Sequence, residues 1–194
     1  MIGPRLAAAL AFASAASGCT SAQHAFVLHS NPLSDAQQVI ADTKINWGEM
    51  TIQASADRDS YDAGQPIGLS VTVSKDAHLA ILRVLASGET TIVFPNKRHP
   101  SADVAAGRAV TVPGPGDAVT IAVDKPQTVL FEFIASTSGD PWLFHRAADK
   151  DSDFADLGST TRALSKDFVG GLKVGKGPET VATYLMVKVG GGGF

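Results

Sequence analysis

The groups that could carry acid–base, nucleophilic or metal chemistry in this 194-residue chain are five histidines, nineteen carboxylates and a single cysteine. His24, His29, His78, His99 and His145 form no H-x-x-x-H or H-x-H pair, so their spacing assigns them no metal and surface positions are expected. Only folding could bring His99 and His145 together. Asp149, Asp151 and Asp153 have the 1, 3, 5 spacing of a calcium loop, but Phe154 and Thr160 stand where an EF-hand needs Gly and Glu. A solvated acidic loop is therefore expected, with a calcium site of another kind, drawn from Asp149, Asp151, Asp153 or Asp156, as the weaker alternative. The run Gly170–Gly177 nearly spells a phosphate-binding loop, but Gly177 occupies the place of the Mg²⁺-binding hydroxyl and no strand–loop–helix surrounds it. No G-x-S-x-G elbow occurs, and no Ser/His/Asp set is marked by its local context.

What remains is recognition chemistry. Lys97, Arg98 and His99 form a small basic cluster that could meet an anionic headgroup or glycan. Trp142 and Phe144, together with Trp47, could stack on a sugar or a peptide, and Trp142 follows a proline in a loop. A formal net charge of −3 lacks the concentrated basic face that nucleic acid requires. With 44% hydrophobic residues the chain is too apolar to be disordered. One cysteine excludes an intrachain disulfide, a multi-cysteine zinc site and a CxxC redox pair, and no cofactor is implied.

That cysteine has a context. Leu6–Ser17 is an Ala-rich apolar run behind Arg5, too short for a membrane span of about 20 residues but suited to a signal-peptide core. Ala16-Ser17-Gly18-Cys19 follows, and small residues at −3 to −1 before a Cys resemble the bacterial lipoprotein signal, with Ala16 where Leu is usual. The resemblance implies cleavage after residue 18, acylation of Cys19 and stable anchoring by several acyl chains. In a Gram-negative cell the absence of Asp after Cys19 implies the outer membrane, with the protein facing the periplasm.

These features set the organisation: 1–18 signal peptide, 19–47 tether, 48–189 one folded domain, and 190–194 a Gly tail. Within the tether, Ser34-Asp35-Ala36-Gln37 fits a capping box and predicts a two-turn helix over 35–43, which needs to dock to persist. From Met50 the hydrophobic period becomes two. Met50–Ser55, Ile67–Val73, Val110–Val112, Val119–Val123 and Val181–Val189 alternate. Leu79–Leu85 is apolar on both faces and reads as a central strand, turning through Ala86–Glu89 into Thr90–Phe94. Thr128–Ala135 is rich in β-branched and aromatic residues. The result is an antiparallel, immunoglobulin-like β-sandwich of about eight strands. A second helix, N-capped by Ser159 and stopped at Gly170, is expected before the last strand, after a loop over 136–158.

The order Tyr61-x-x-Gly64, Ser87-Gly88-Glu89, Phe94-Pro95-Asn96 and Ala106-Gly107 resembles a bacterial domain-of-unknown-function family over roughly Met50–Trp142. Its members occur as envelope lipoproteins and as modules appended to kinase-like or caspase-like proteins. Ala77 and His78 depart from the Gly and aromatic residue usual there. The resemblance implies a β-sandwich accessory or binding module and supplies no catalytic residues. Structural roles are expected for the motifs: Gly64 for a positive φ, Tyr61 for covering one end of the core, Pro95 for ending a ladder, and Asn96 for the turn. The functional expectation is a non-enzymatic, lipid-anchored periplasmic module that binds a protein partner in an envelope or secretion assembly. A glycan- or peptidoglycan-binding lipoprotein is the alternative. A hydrolase is the third reading, which would need a cleft gathering His99 or His145 with two carboxylates and a serine.

Overall fold

A computed structural model of the chain describes residues 33–43, 45–139, 142–145, 152–158 and 179–190. Cys19, the signal segment, Asp149, Asp151, the helix expected after Ser159, the Gly170–Gly177 run and residues 191–194 lie outside these. The protein is mainly β, an antiparallel sandwich with eleven strands and one short α-helix among the described residues. In chain order these are α1 (Asp35–Ala41), β1 (Asn46–Trp47), β2 (Ile52–Ala56), β3 (Ser60–Tyr61), β4 (Leu69–Val73), β5 (Ala77–Val84) and β6 (Thr90–Phe94). They are followed by β7 (Asp103–Val104), β8 (Val110–Val112), β9 (Gln127–Ser136), a 3₁₀ turn (Trp142–Phe144), β10 (Ala155–Gly158) and β11 (Thr180–Val189).

The larger sheet runs β1-β11-β9-β5-β6-β10, with β7 beside the start of β5 and β3 beside the end of β11; the smaller runs β2-β4-β8. All pairs are antiparallel except β3 with β11. β9 is the spine: all ten of its residues pair with β11, and seven pair with β5. Its inward residues Val129, Phe131, Phe133 and Ala135 meet Leu69, Val71 and Val73 of β4 in one core. Its outward residues are buried too. Ile134 packs with Leu82, Ile92, Leu143 and Phe144, and Leu130 packs with Val84 and the α1 residues Ile40 and Ala41.

The helix docks through the residue that caps it. Gln37 completes the capping box with Ser34, and its Nε2 donates to Val84 O (3.0 Å) and Thr128 O (2.8 Å). β1, placed by sequence in the tether, pairs with β11. The loop expected over 136–158 contains the 3₁₀ turn and β10, an edge strand paired with β6. Val119, Ile121 and Val123 are buried alternately as expected, but they form no strand. Their segment is held by isolated bonds, Gly64 N–H to Val123 O and Ile67 N–H to Ile121 O (both 2.8 Å), and by Arg83 Nη1 donating to Ala122 O. Alternation therefore reported burial correctly, without a ladder.

Glu132 breaks the apolar pattern. It lies on the outward face of β9 opposite Leu82 and Tyr184, is 2% exposed, and its Oε2 has no hydrogen-bond partner. Burial pushes its carboxyl up to about 9, so it is neutral at pH 7. Between the ordinary value of 4.5 and about 9 the unfolded chain has lost this proton while the folded chain keeps it. The stability present below pH 4.5 therefore declines across that window. Glu132→Gln is expected to shrink this decline and to gain about 1 kcal/mol or more over the parent near pH 8. Urea melts at pH 5 and pH 8 check it, and an unchanged difference between the two would refute it.

Candidate functional site

The motif residues do structural work. Tyr61 is 3% exposed; its hydroxyl donates to Asp57 Oδ1 and accepts the Arg58 N–H (3.2 Å). Burial, reinforced by the Asp57 bond, pushes the phenol up to about 12, and the same bond lowers Asp57. Gly64 has φ +77° and donates to Val123 O. Pro95 closes β6, and the buried Asn96 organises the turn beyond it. Asn96 Nδ2 donates to Val93 O, and its Oδ1 accepts the N–H groups of Arg98 and His99, all at 2.9 Å. Asn96 thereby fixes the loop that carries Lys97, Arg98 and His99, all exposed.

Arg98 and His99 line an open cleft of about 940 Å³ between the two sheets. Its walls come from the ends of β5, β6 and β7 on one side, and from β8 and the Gly114-Pro115 turn on the other. Two imidazole–carboxylate pairs frame it. His78 Nδ1 lies 2.8 Å from Asp103 Oδ1, joining residues paired across β5 and β7. His99 Nε2 lies 2.8 Å from Asp117 Oδ2, which also accepts the Gly114 N–H at 2.7 Å. This second pair is a clasp, because it ties the Asn96 loop of the large sheet to the turn leaving the small one. The His99 hydrogen bond, then the Gly114 N–H, holds the Asp117 carboxyl below its ordinary value.

The cleft meets the composition that the hydrolase reading required, since His99, Asp76, Asp103 and Ser101 all line it. The geometry directs Ser101 elsewhere. Its hydroxyl donates to Asp103 Oδ2 (2.9 Å) and accepts the Asp103 N–H (3.1 Å), so the described partner of the serine is a carboxylate rather than an imidazole. Asp76 Oδ1 accepts the Ala106 N–H at 2.8 Å. Every carboxylate of the cleft thus has a partner within the fold, whereas Arg98 and Arg108, both exposed, make no ion pair among the described residues.

Other expected sites fall apart or fall outside. Phe144 is 2% exposed and packs its ring against His78, centroids 5.9 Å apart, so it offers no open stacking platform. Trp47 is half-buried against the outer cluster, and Trp142 begins the 3₁₀ turn. His145 is bonded to Gly139 O, whereas His99 is bonded to Asp117. Asp153 gives its carbonyl to the Lys97 N–H (3.0 Å), and among the described residues no three His, Cys, Asp or Glu converge as metal ligands. Arg108, Asp103, Asp117 and Ser101 are the cleft residues that sequence reasoning missed. No spacing marks them, because the β5–β7 pairing and the clasp create their proximity.

Residues 60–139 match a family model described as a domain of unknown function (DUF4384). The matched stretch runs from β3 through β9 and contains every residue lining the cleft, while β1, β2, β10 and β11 lie beyond it. Comparison with curated proteins gives no match.

Two variants test this geometry. His99→Ala is expected to raise the Asp117 titration midpoint toward the usual aspartate value, read from ¹³C carboxyl shifts; an unmoved midpoint would show that the clasp does not form in solution. A depressed carboxyl stabilises the fold above the ordinary aspartate range and loses that contribution as pH falls below it. Tyr61→Phe removes a hydroxyl that serves two partners and should destabilise by roughly 1–2 kcal/mol in denaturant melts; a loss below about 0.3 kcal/mol would deny its structural role.

Proposed function

We propose that this chain is a non-enzymatic, lipid-anchored accessory module of the bacterial envelope that binds a protein partner through the cleft between its sheets. The observation that carries the reading is the division of charge in that cleft. Its carboxylates are held by imidazole, hydroxyl and backbone donors, while two exposed arginines line it with no ion pair among the described residues. A surface arranged this way presents donors to a ligand while its own acceptors are already engaged, which suits recognition better than turnover. Anchoring rests on Ala16-Ser17-Gly18-Cys19, and in a Gram-negative cell the absence of Asp after Cys19 favours the outer membrane, facing the periplasm. The match to a domain of unknown function is compatible with an accessory role and names no activity.

The test uses the full-length protein in intact cells. Cys19→Ser should lose acyl labelling and leave the membrane fraction. A photo-cross-linker at Ala105, exposed in the cleft, should capture one discrete protein, whereas the same group at Asp62, on the opposite end of the β11–β9 ladder, should not. Sedimentation with purified sacculi and no cross-linked protein would replace this reading by the glycan-binding one.

A further inference from the structure

One wall of the cleft is backbone rather than side chain. In the small sheet, the Ser74 N–H donates to Thr51 O and the Asp57 N–H to Gly68 O. Antiparallel bonding alternates along a strand, so Gly68, Ser70, Thr72 and Ser74 turn their backbone groups toward β2. Leu69, Val71 and Val73 turn theirs toward β8, and Val73 O accepts the Gly107 N–H at 2.8 Å on that side. The register sets Leu69 opposite Val112 and Val71 opposite Val110, so those two valines complete the ladder. Ala109 and Thr111, which alternate with them, direct N–H and C=O the other way, where the small sheet has no further strand among the described residues. Both residues are exposed and line the cleft.

We propose that the β8 edge takes up an extended acidic segment of the partner protein by strand addition. This rests on the reading of the cleft as the docking surface and deepens it. Three residues of edge offer few backbone bonds, so pairing there is weak and indifferent to sequence by itself. Selectivity comes from what flanks the edge. Arg108 lies two residues before β8 and Arg98 sits on the facing loop; neither makes an ion pair among the described residues, although the Arg98 charge helps hold Asp117 low. Phe94, Val104 and Val110 supply apolar lining between them. An added strand sends alternate side chains to opposite faces, so a segment alternating acidic and β-branched residues fits both the charge and the lining. The His99–Asp117 clasp fixes the turn at the end of β8 and with it the direction of the edge.

The probe is a labelled ten-residue peptide alternating valine and glutamate, added to the full-length, detergent-solubilised protein. Binding is read by fluorescence anisotropy and by amide hydrogen exchange. The peptide should bind, slow exchange at Thr111, and bind at least tenfold more weakly to Arg98→Ala/Arg108→Ala. Thr111→Pro removes only an outward N–H at an edge position that tolerates proline, and should lower affinity at least tenfold without shifting the melting temperature. If that variant misfolds, a peptide N-methylated at alternate amides tests the same bonds on the native chain. Unchanged binding by Thr111→Pro or by the methylated peptide overturns strand addition. Equal binding of a valine–lysine peptide overturns the acidic preference. If the discrete cross-link at Ala105 persists in Thr111→Pro, strand addition fails and the docking reading stands; with no cross-link in the parent, the docking reading itself fails.

Discussion

The fold depends on covering both faces of β9. From Val129 to Ser136 every residue of this strand is buried, so its sheet cannot leave either face to water. Each fully buried large apolar side chain on it contributes roughly 1.5–3 kcal/mol, and that contribution is lost wherever a cover is missing. The inner cover is the small sheet, and the outer is assembled from α1, the Ile45 segment, the 3₁₀ turn and Ala155. An eight-stranded sheet faced by three strands has unequal sides. Among the described residues the small sheet stops at β8, and the cleft lies beyond that edge. The site is thus a consequence of strand count, shaped afterwards by polar loops.

The same demand explains the loops. The chain must leave the large sheet at β7 and enter the small one at β8 within a few residues. It does so through a turn in which Gly107, φ +69°, donates to Val73 O. A second short crossing, from Val73 of β4 to Ala77 of β5, joins the same two sheets. The clasp supplies a further tie on the far side of the cleft, linking the Asn96 loop to the Gly114 turn. Asn96 is buried because its amide must satisfy three backbone groups of the Asn96 loop and Val93 at once; an apolar residue there would strand those donors and the acceptor. Phe94-Pro95-Asn96 is accordingly a device for aiming Arg98 and His99.

Much of this was legible in the residues. Strand alternation, the apolar central strand (read as Leu79–Leu85, found as Ala77–Val84), the hairpin into Thr90–Phe94, the capping box at Ser34 and the positive φ of Gly64 all follow from local chemistry, and local chemistry is what a sequence displays. The misread segment was Val119–Val123, whose alternate residues are buried beneath isolated hydrogen bonds; period two reports which side chains face inward, not whether a neighbouring strand is present. The cleft was half visible. Lys97-Arg98-His99 signalled donors, but their counterparts did not stand out. Asp117 is 18 residues from His99 and Asp103 is 25 from His78, joined by a turn and by a two-residue strand too short to show periodicity.

The family match sharpens the division between scaffold and site. Its boundaries at 60 and 139 include the clasp, both cleft histidines, both arginines and the β8 edge. They exclude β11, which pairs along the whole of β9, and β2, which completes the small sheet. The matched stretch therefore carries the cleft intact but leaves one long flank of β9 without hydrogen-bond partners. In this chain β11 covers that flank, and Glu179 just before it fixes its start. Glu179 accepts the N–H groups of Glu49 and Met50 and meets Lys75 Nζ at 2.5 Å. The described segments outside the match thus close the sandwich without lining the cleft. A module built this way can vary what completes its sheet and still keep the same β8 edge and the same two exposed arginines lining the cleft.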